Sequence, residues 1–387
     1  MNATRYTTLF AFATMLKIQI KVLNMLYLFC SKLGFRALAV TLYFSFVLNP
    51  AIAMSEYEYL QLLVDSKQAI GARFAGSKQE QETADFIERH WLQMGYTVKS
   101  QQFAFKTQNA NLRSENLTID IPGQQDKWVV IAAHYDSTGE GSLGATDNGA
   151  GIAVLLALAN RLRDHKSFPY SIRLLALGAE EVGLQGAKHY VSKLTQTEID
   201  SIIAMVNLDT IAGGDNLYVH SAHTKPYKCD DGQGDYTSSP AVRDALQILS
   251  QTLFEDQAHK LHPAYPGYPE GVTGGWSDHA PFACAGVPIA YIETTNFSIN
   301  GKDGYDGYSQ STHPKLWDCF DEKTNTACDR DAEKKWGNIW HTDNDRLSLL
   351  NELFPGRVSK QMRMNTELLE RLVLDADKWL NFKKGAE

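Results

Sequence analysis

Residues 128–136 (WVVIAAHYD) and 172–181 (IRLLALGAEE) each begin as an apolar run and then change abruptly to polar side chains that can bind a metal. Uninterrupted apolar runs of this kind are typical of strands that are buried on both faces of a parallel sheet. His134 and Asp136 follow the first run, and two glutamates follow the second. In open α/β sheets, ligands bind beyond the carboxyl ends of the strands. The two stretches therefore predict a metal site at that edge of a sheet.

The same kind of pattern extends along most of the chain. Helical spacing of apolar residues predicts helices over 56–64, 79–94, 149–162, 185–194, 239–254 and 357–382, and strand patterns cover 98–106, 116–121, 128–134, 171–177, 202–208, 217–220 and 287–293. Strands that alternate with helices imply a largely parallel sheet that is covered on both faces. We therefore predict a single α/β domain, a three-layer α/β/α sandwich with a mixed, mostly parallel central sheet.

The first 53 residues differ from the rest, because they contain five basic residues and no acidic one. Arg36 is followed by the apolar run 37–48 and by the small-x-small sequence at 51–53. This order is typical of a secretory signal peptide, and the run is short for a membrane span. We predict that 1–53 is a leader cleaved after Ala53, that 54–387 is the folded domain, and that the mature chain is periplasmic or secreted. A retained N-terminal anchor is the alternative.

Without the leader the chain is strongly acidic. Removing its five basic charges takes the formal net charge from −8 to −13. Such a chain is a poor partner for nucleic acid or an anionic membrane, whereas cationic peptides are attracted to it. We expect no nucleic-acid partner and no stable membrane association after leader cleavage.

The four cysteines that follow the leader suggest disulfides in an exported protein. Cys319 and Cys328 flank a short polar loop and are the better pair. Cys284 lies in an apolar context, where it is either a buried thiol or the partner of Cys229. A second apparent metal cluster, His220 and His223 with Cys229, lies in a polar stretch, and we expect these side chains to be solvated.

The residues after the first apolar run have the properties of metal ligands. Because residues i and i+2 of a strand face the same way, His134 and Asp136 point together. Asp136 can then hold the imidazole so that its other nitrogen faces a metal. Asp147, placed at the start of a helix by Gly144 and Gly149, can use both carboxylate oxygens to bridge two cations.

Further donors come from the later segments. Glu180 and Glu181 supply two carboxylates with different roles, since one can bind metal while the other accepts a proton from the attacking water. Asp209 follows the next strand, and His341 brings a second imidazole near the end of the chain. Two histidines and three carboxylates make a five-residue set for two metals. Mixed nitrogen and oxygen ligands suit zinc, although they also accept manganese or cobalt.

The ordered motifs resemble a known family. His-x-Asp at 134–136, Asp-Asn-x-x-Gly at 147–151, Glu-Glu at 180–181, Asn-x-Asp at 207–209 and a late His-Thr at 341–342 are similar to the co-catalytic zinc aminopeptidases of metallopeptidase family twenty-eight. Further matches lie at 73–77, 277–282 and 285–288, so the resemblance covers residue 56 to the C-terminus. Segments 207–209, 214–218 and 301–305 look like a bacterial isozyme-conversion subgroup.

The resemblance implies a role for each motif residue. Five would hold two zinc ions, one between His134 and Asp209 and the other between Glu181 and His341, with Asp147 shared. Glu180 would be the general base, and Asp136 would orient His134. The implied reaction removes one residue at a time from a peptide or protein substrate with a free N-terminus, and the acidic surface favours basic N-termini.

Several alternatives stay open. A glutaminyl cyclase uses a similar scaffold with one zinc, and a catalytically inactive relative would act as a binding module. The metals alone do not choose the peptide end, so a carboxypeptidase is a further alternative, marked by a basic carboxylate pocket. The loop-rich segment 296–338 is too long for a passive connection and predicts an insertion at the rim of the site. Trp276 and Trp340 either line the substrate pocket or are ordinary half-buried aromatics.

Overall fold

The structure is a computed structural model and describes residues 54–64, 69–108, 110–226, 229 and 235–380. The predicted leader, 1–53, and its cleavage site lie outside the described residues, as does the end of the predicted closing helix. Within the described part of the chain, no helix combines the length and the apolar character that a membrane crossing needs.

An eight-stranded sheet in the order β1-β2-β4-β3-β5-β8-β6-β7 forms the centre of the fold. The strands are β1 (Val98–Lys106), β2 (Asn111–Ile121), β3 (Gln125–His134), β4 (Tyr170–Leu177), β5 (Ile202–Leu208), β6 (Asn216–Ala222), β7 (Val272–Thr273) and β8 (Ile289–Thr295). The four neighbours β4, β3, β5 and β8 are parallel, β1 and β2 form an antiparallel edge, and β6 is antiparallel to β8. The predicted mixed sheet is confirmed.

Helices cover both faces of this sheet. The helices are α1 (Glu56–Val64), α2 (Lys78–Gln93), α3 (Ala150–Leu162), α4 (Gln185–Ser192), α5 (Gln196–Ser201), α6 (Ala241–Phe254), α7 (His279–Cys284), α8 (Leu347–Leu353), α9 (Arg357–Leu374) and α10 (Ala376–Trp379). Strand β3 shows the two layers directly, because alternate side chains of a strand point to opposite faces. Val129 and Ile131 pack in the cluster that contains α1, α3 and α9, whereas Val130 and Ala132 pack with residues of α4 and α7. The three-layer sandwich is therefore confirmed.

The structure departs from the predicted elements at short helices and at the closing helix. Helices α5, α7 and α8 have only six or seven residues, too few to show a clear apolar period in the sequence. The closing helix is not continuous over 357–382, because Asp375 leaves helical geometry (φ −112°, ψ 30°) between α9 and α10. The loop-rich segment after β8 contains a small hairpin of β9 (Phe320–Asp321) and β10 (Thr326–Ala327).

Two disulfides fix loops to this framework. Cys319 is bonded to Cys328 across the β9–β10 hairpin, as predicted. Cys229 is bonded to Cys284 at the end of α7, so Cys284 is not a free thiol. Cys229 is half-buried, and the expectation of a solvated side chain is wrong for His220, which lies on β6 and is buried.

The parallel strands deliver their carboxyl ends to one edge of the sheet. His134 of β3 is paired with Leu177 of β4, and Ala132 is paired with Asn207 of β5. Leu208 is in turn paired with Ile292 of β8. The residues that follow these positions therefore lie side by side along the edge, which is where polar side chains were predicted to meet.

Candidate functional site

His134 lies at the centre of the polar cluster at this edge. Its Nε2 atom is 3.2 Å from Asp147 Oδ1 and 3.3 Å from Asp209 Oδ1. Its other nitrogen, Nδ1, is 3.4 Å from Asp136 Oδ1. All four side chains are buried. The imidazole therefore has a carboxylate on its rear nitrogen and two carboxylates at its front nitrogen, as the spacing of residues 134 and 136 predicts.

A tight turn at Ala145–Gly149 presents Asp147 between two imidazoles. One of its oxygens faces His134, and the other, Oδ2, is 2.9 Å from His341 Nε2. The turn begins at Gly144, which has φ +61° and no room for a side chain, since a Cβ there would lie 2.5 Å from Ser137 Cβ. Only glycine avoids both problems at such a position. Asp147 therefore contacts both imidazoles, and it links the donors around His134 to those around His341.

Glu181 and His341 form a second group of donors around Asp147. His341 Nε2 is 3.1 Å from Glu181 Oε2, and the imidazole side chain is half exposed at 50 % whereas that of Glu181 is only 6 % exposed. The other oxygen of Glu181 is buried and has no hydrogen-bond partner among the residues that the structure describes. A buried carboxylate oxygen without a donor is costly unless a cation or water satisfies it.

Backbone hydrogen bonds hold the paired glutamates in place. Asp136 accepts one bond from the Glu180 amide at 3.0 Å and another from the Glu181 amide at 3.1 Å. The preceding residue, Ala179, has φ +55° and donates its amide to Glu80 at 3.0 Å. Asp136 therefore positions both the imidazole on its own strand and the acidic turn on the neighbouring strand.

Two buried residues that the sequence analysis left without a role fix the loops of the site. Asp345 accepts hydrogen bonds from the Thr146 amide at 2.7 Å, the Thr146 hydroxyl at 2.9 Å and the Asp147 amide at 3.1 Å. The buried guanidinium of Arg73 donates to four carbonyls, those of Gly71, Tyr135, Leu143 and Gly144. Arg73 stands in a segment matched to the family, but Asp345 has no sequence signal beyond its place four residues after His341.

The cluster packs five carboxylates against two imidazoles, so its acidic side chains lie close to one another. Burial and the neighbouring Glu181, Asp278 and Asp209 carboxylates raise the pKa of Glu180 well above its usual value, although His134 opposes this. Burial and Asp147 raise the pKa of Glu181 to about 7. These are the shifts expected where like charges are packed together without a cation between them.

The neighbouring carboxylates also raise the pKa of both imidazoles, which favours the charged form of each histidine. Burial alone would lower the pKa of His341, but its contacts with Asp147 and Glu181 raise it to about 11. Burial likewise opposes protonation of His134, and the charges of Asp209 and Glu180 outweigh it. The carboxylates therefore stabilise positive charge at both imidazoles, which is the property that a cation site needs.

In the described part of the chain, three overlapping groups of donor atoms are close enough to bind metal, with every ligand atom in a group within 4.8 Å of the others. The groups are His134 with Asp147 and Asp209, Asp147 with Glu181 and His341, and His134 with Glu180 and Glu181. The first two share Asp147 and together have two imidazoles and three carboxylates, a donor set that fits zinc. All seven residues singled out by the sequence are therefore brought together, and their individual roles stay predictions.

A cleft of about 650 Å³ opens directly from this cluster. Its walls are formed by Asp147, Glu180, Glu181, Gly183, Leu184, Lys188, Asp209, Thr210, Tyr265, Tyr268, Gly275, Trp276, Tyr291, Glu293, Asp306, Gly307, Tyr308, Trp340 and His341. Both tryptophans that the sequence left undecided line the cleft. Three residues of segment 296–338 also line it, while the predicted bounds of that insertion stay a prediction.

Glu293 is an acidic residue of the cleft that no motif in the sequence indicates. It lies on β8 and is buried, and burial together with the Asp209 charge raises its pKa to about 8. Its Oε1 atom is 2.8 Å from Nε2 of His220, the histidine expected to be solvated. Its one signal in the sequence is its position near the end of an apolar strand, since β3, β4 and β5 are also followed by site residues.

An α/β sandwich with histidines and carboxylates clustered at the carboxyl edge of a parallel sheet has the arrangement of a metal-dependent enzyme. Residues 116–365 match the family described as Peptidase family M28, and the chain belongs to that family. The predicted family is confirmed. The predicted enzyme class, a metallo-aminopeptidase hydrolase, is confirmed by the family together with the relatives it matches.

Two curated relatives extend the comparison. The chain is 26 % identical over 332 residues to the alkaline phosphatase isozyme conversion protein of Escherichia coli (strain K12), covering 79 % of this chain and 86 % of that protein. It is 34 % identical over 166 residues to aminopeptidase YwaD of Bacillus subtilis (strain 168), covering 42 % of this chain and 31 % of that protein. The first of these agrees with the subgroup that the sequence resembles.

Two solved structures share the fold. A zinc aminopeptidase from Bacillus subtilis superposes with a TM-score of 0.57 at 17 % identity, covering 87 % of this chain and 97 % of that one. A glutaminyl cyclase from an Acidobacteriales bacterium gives 0.58 at 20 % identity, covering 85 % and 98 %. At these identities the likeness concerns the fold alone, so it does not separate the two activities.

Proposed function

We propose that this chain is an exported aminopeptidase that binds two zinc ions and removes the N-terminal residue from peptides or proteins. One observation is central to the proposal: the two oxygens of Asp147 face different imidazoles, so this carboxylate lies between two donor groups. A site for a single ion would need only one of those groups. His134 and Asp209 would hold one ion, and Glu181 and His341 the other.

Bound zinc would polarise the scissile carbonyl and lower the pKa of water to about 7. The protein's own part is to hold the proton acceptor. Glu180 lines the cleft, is buried, and has its backbone amide fixed by Asp136. Its carboxylate would accept the proton of the attacking water and return it to the departing amine. A carboxylate suits this role, since water bound to zinc needs only a modest base near neutral pH.

The charge of the cleft supports attack at the amino end of a peptide. Among the described residues that line it there are six carboxylates and a single lysine, Lys188. A free α-ammonium group is attracted to such a lining, and a C-terminal carboxylate is repelled by it. The basic pocket that would mark a carboxypeptidase is not found among those residues.

Export and a preference for basic N-termini belong to the same proposal. The N-terminal 53 residues have the order of a signal peptide, and the mature chain has a net charge of −13 once their five basic charges are removed. Fractionation of the native cells would find the chain in the periplasm or the medium, beginning at Met54. Full-length chain retained in the membrane would contradict export.

The activity test uses mature protein loaded with zinc and three versions of one peptide, with a free, an acetylated or a glutaminyl N-terminus. Mass spectrometry of the products should show stepwise loss of single residues from the free peptide and none from the acetylated one. Glu180→Gln should abolish this loss while it keeps its zinc. Loss of ammonia from the glutaminyl peptide alone would establish a glutaminyl cyclase, and three unchanged peptides would favour a binding relative.

A further inference from the structure

We propose that Glu293 and Asp306 form the subsite that receives the side chain of a basic N-terminal residue, with arginine favoured over lysine. This inference rests on the proposed aminopeptidase function and assigns its specificity to one residue of β8 and one of the loop that follows it. Both line the same cleft as the metal-binding cluster.

Glu293 is placed by the sheet itself. Ile292 of β8 is paired with Leu208 of β5, so Glu293 lies level with Asp209 along the edge. It therefore adds a fourth strand to the row of polar residues that β4, β3 and β5 begin. His220 Nε2 lies 2.8 Å from one carboxylate oxygen, and the Tyr291 hydroxyl donates to the other at 3.4 Å. Glu293 thus lies beside the metal cluster, in contact with His220 and Tyr291, and belongs to none of the three donor groups found among the described residues.

Asp306 approaches the cleft from the loop that follows β8. The Tyr308 amide donates to Asp306 Oδ1 at 3.1 Å, and the turn is narrowed at Gly307, which has φ +85°. A Cβ at Gly307 would lie 2.8 Å from the Phe297 ring, so a side chain there would push the turn away. The loop is therefore built to bring Asp306 to the wall of the cleft, where it is half-buried.

The charges of the cleft leave these two carboxylates for the substrate. Four of the six carboxylates belong to the metal-binding groups, and two zinc ions would balance them. Glu293 and Asp306 remain, with Lys188 as the single lysine among the described lining residues. A guanidinium or ammonium group would pair with these acids and favour the ionised form of Glu293, whereas a neutral side chain would leave them without an opposite charge.

Aromatic rings complete the subsite. Tyr265 and Tyr268 are stacked with centroids 4.8 Å apart, and Trp276 lies 5.6 Å from Tyr268. A planar guanidinium can stack on such rings and at the same time bind carboxylates with its edge. A lysine ammonium also binds carboxylates, but without the fixed planar geometry of a guanidinium. We therefore expect arginine to be favoured.

The experiment compares arginyl, citrullyl and leucyl substrates. Citrulline has the shape of arginine without its charge, so the ratio of the arginyl to the citrullyl kcat/KM isolates the charge contribution. We expect the zinc-loaded enzyme to prefer arginine, and Asp306→Asn to lower this ratio by about ten-fold, the effect of one charge-assisted hydrogen bond. Glu293→Gln should lower it at least as much. Zinc content, measured for each variant, shows whether the metal cluster is intact.

Asp303→Asn is the matched control, because it removes the same charge from an exposed residue of the same loop that does not line the cleft. Its ratio should equal that of the unmodified enzyme. Equal rates on arginyl and citrullyl substrates, or an unchanged ratio in Asp306→Asn, would overturn the inference while aminopeptidase activity stands. No release of any N-terminal residue from any substrate would instead contradict the proposed function.

Discussion

The cleft has two walls that are built in different ways. The metal wall consists of residues at the ends of β3, β4 and β5 together with Asp147 and His341, and its geometry follows from strand register and backbone hydrogen bonds. The other wall, which we propose sets specificity and call the specificity wall, consists of Glu293 with Tyr265, Tyr268, Gly275, Trp276 and residues 306–308, which come mostly from loops. The difference teaches that substrate preference can change through loop sequence while the metal wall stays constant.

Removal of the metal is expected to have the largest effect. Chelation should abolish activity, because both donor groups lose their cations, and should lower Tm by more than about 5 °C, since a tightly bound ligand contributes several kcal/mol to the folded state. Calorimetry before and after chelation measures this. Restored zinc should recover both the activity and the arginyl to citrullyl ratio. An unchanged Tm would show that the buried carboxylates do not depend on metal.

Substitution of the proton acceptor is expected to come next. Glu180→Gln keeps the shape of the side chain and removes its basicity, so kcat should fall by about 10²–10⁴-fold, the usual contribution of a general base. Steady-state kinetics with the arginyl substrate should show this fall with little change in KM. This contrasts with Asp306→Asn, which acts on the arginyl preference. A Glu180→Gln enzyme with nearly full kcat would remove Glu180 from the mechanism.

A smaller effect is expected at the support of the metal wall. Asp345→Asn weakens the three hydrogen bonds that hold Thr146 and Asp147, and zinc affinity should fall by about 10–100-fold, as for other changes behind a metal ligand. Competition with a zinc chelator gives the affinity. The control Asp343→Asn changes an exposed carboxylate two residues away and should leave the affinity unaltered. Equal affinities in both variants would show that Asp345 only stabilises the fold.

The smallest effect is expected on the specificity wall. Tyr268→Leu removes one ring of the stacked pair, and the arginyl to citrullyl ratio should fall by about two- to five-fold, since a cation–π contact contributes about 0.5–1 kcal/mol. Because citrulline retains the planar end group, loss of packing alone would affect both substrates. An equal fall for both would assign Tyr268 to shape rather than to charge recognition.

The same contrast explains what the sequence could predict. The metal wall was predictable because His134, Asp136, Glu180, Glu181 and Asp209 directly follow or end apolar strands, and position on a strand determines which edge they reach. Glu293 could not be assigned in this way, because its importance depends on β8 lying beside β5, and pairing between distant strands is not encoded locally.

Other unpredicted features have a similar cause. Asp345 and Arg73 act through contacts with loops 70 to 199 residues away, which no local pattern reveals. His220 was expected to be solvated from its polar surroundings, yet β6 buries it against Glu293. The apolar period of the closing helix continues past Asp375, although the backbone turns there. Periodicity reports which face of an element is buried but not where the chain bends or what it meets.

The most direct test of the account is anomalous diffraction at the zinc edge from crystals of the zinc-loaded mature protein. We expect two anomalous zinc peaks about 3.5–4 Å apart, the usual spacing of paired catalytic metals. They should lie on either side of Asp147, one beside His134 and Asp209 and the other beside Glu181 and His341. A single peak, with Asp147 bound through one oxygen and His341 free of metal, would contradict the two-zinc site.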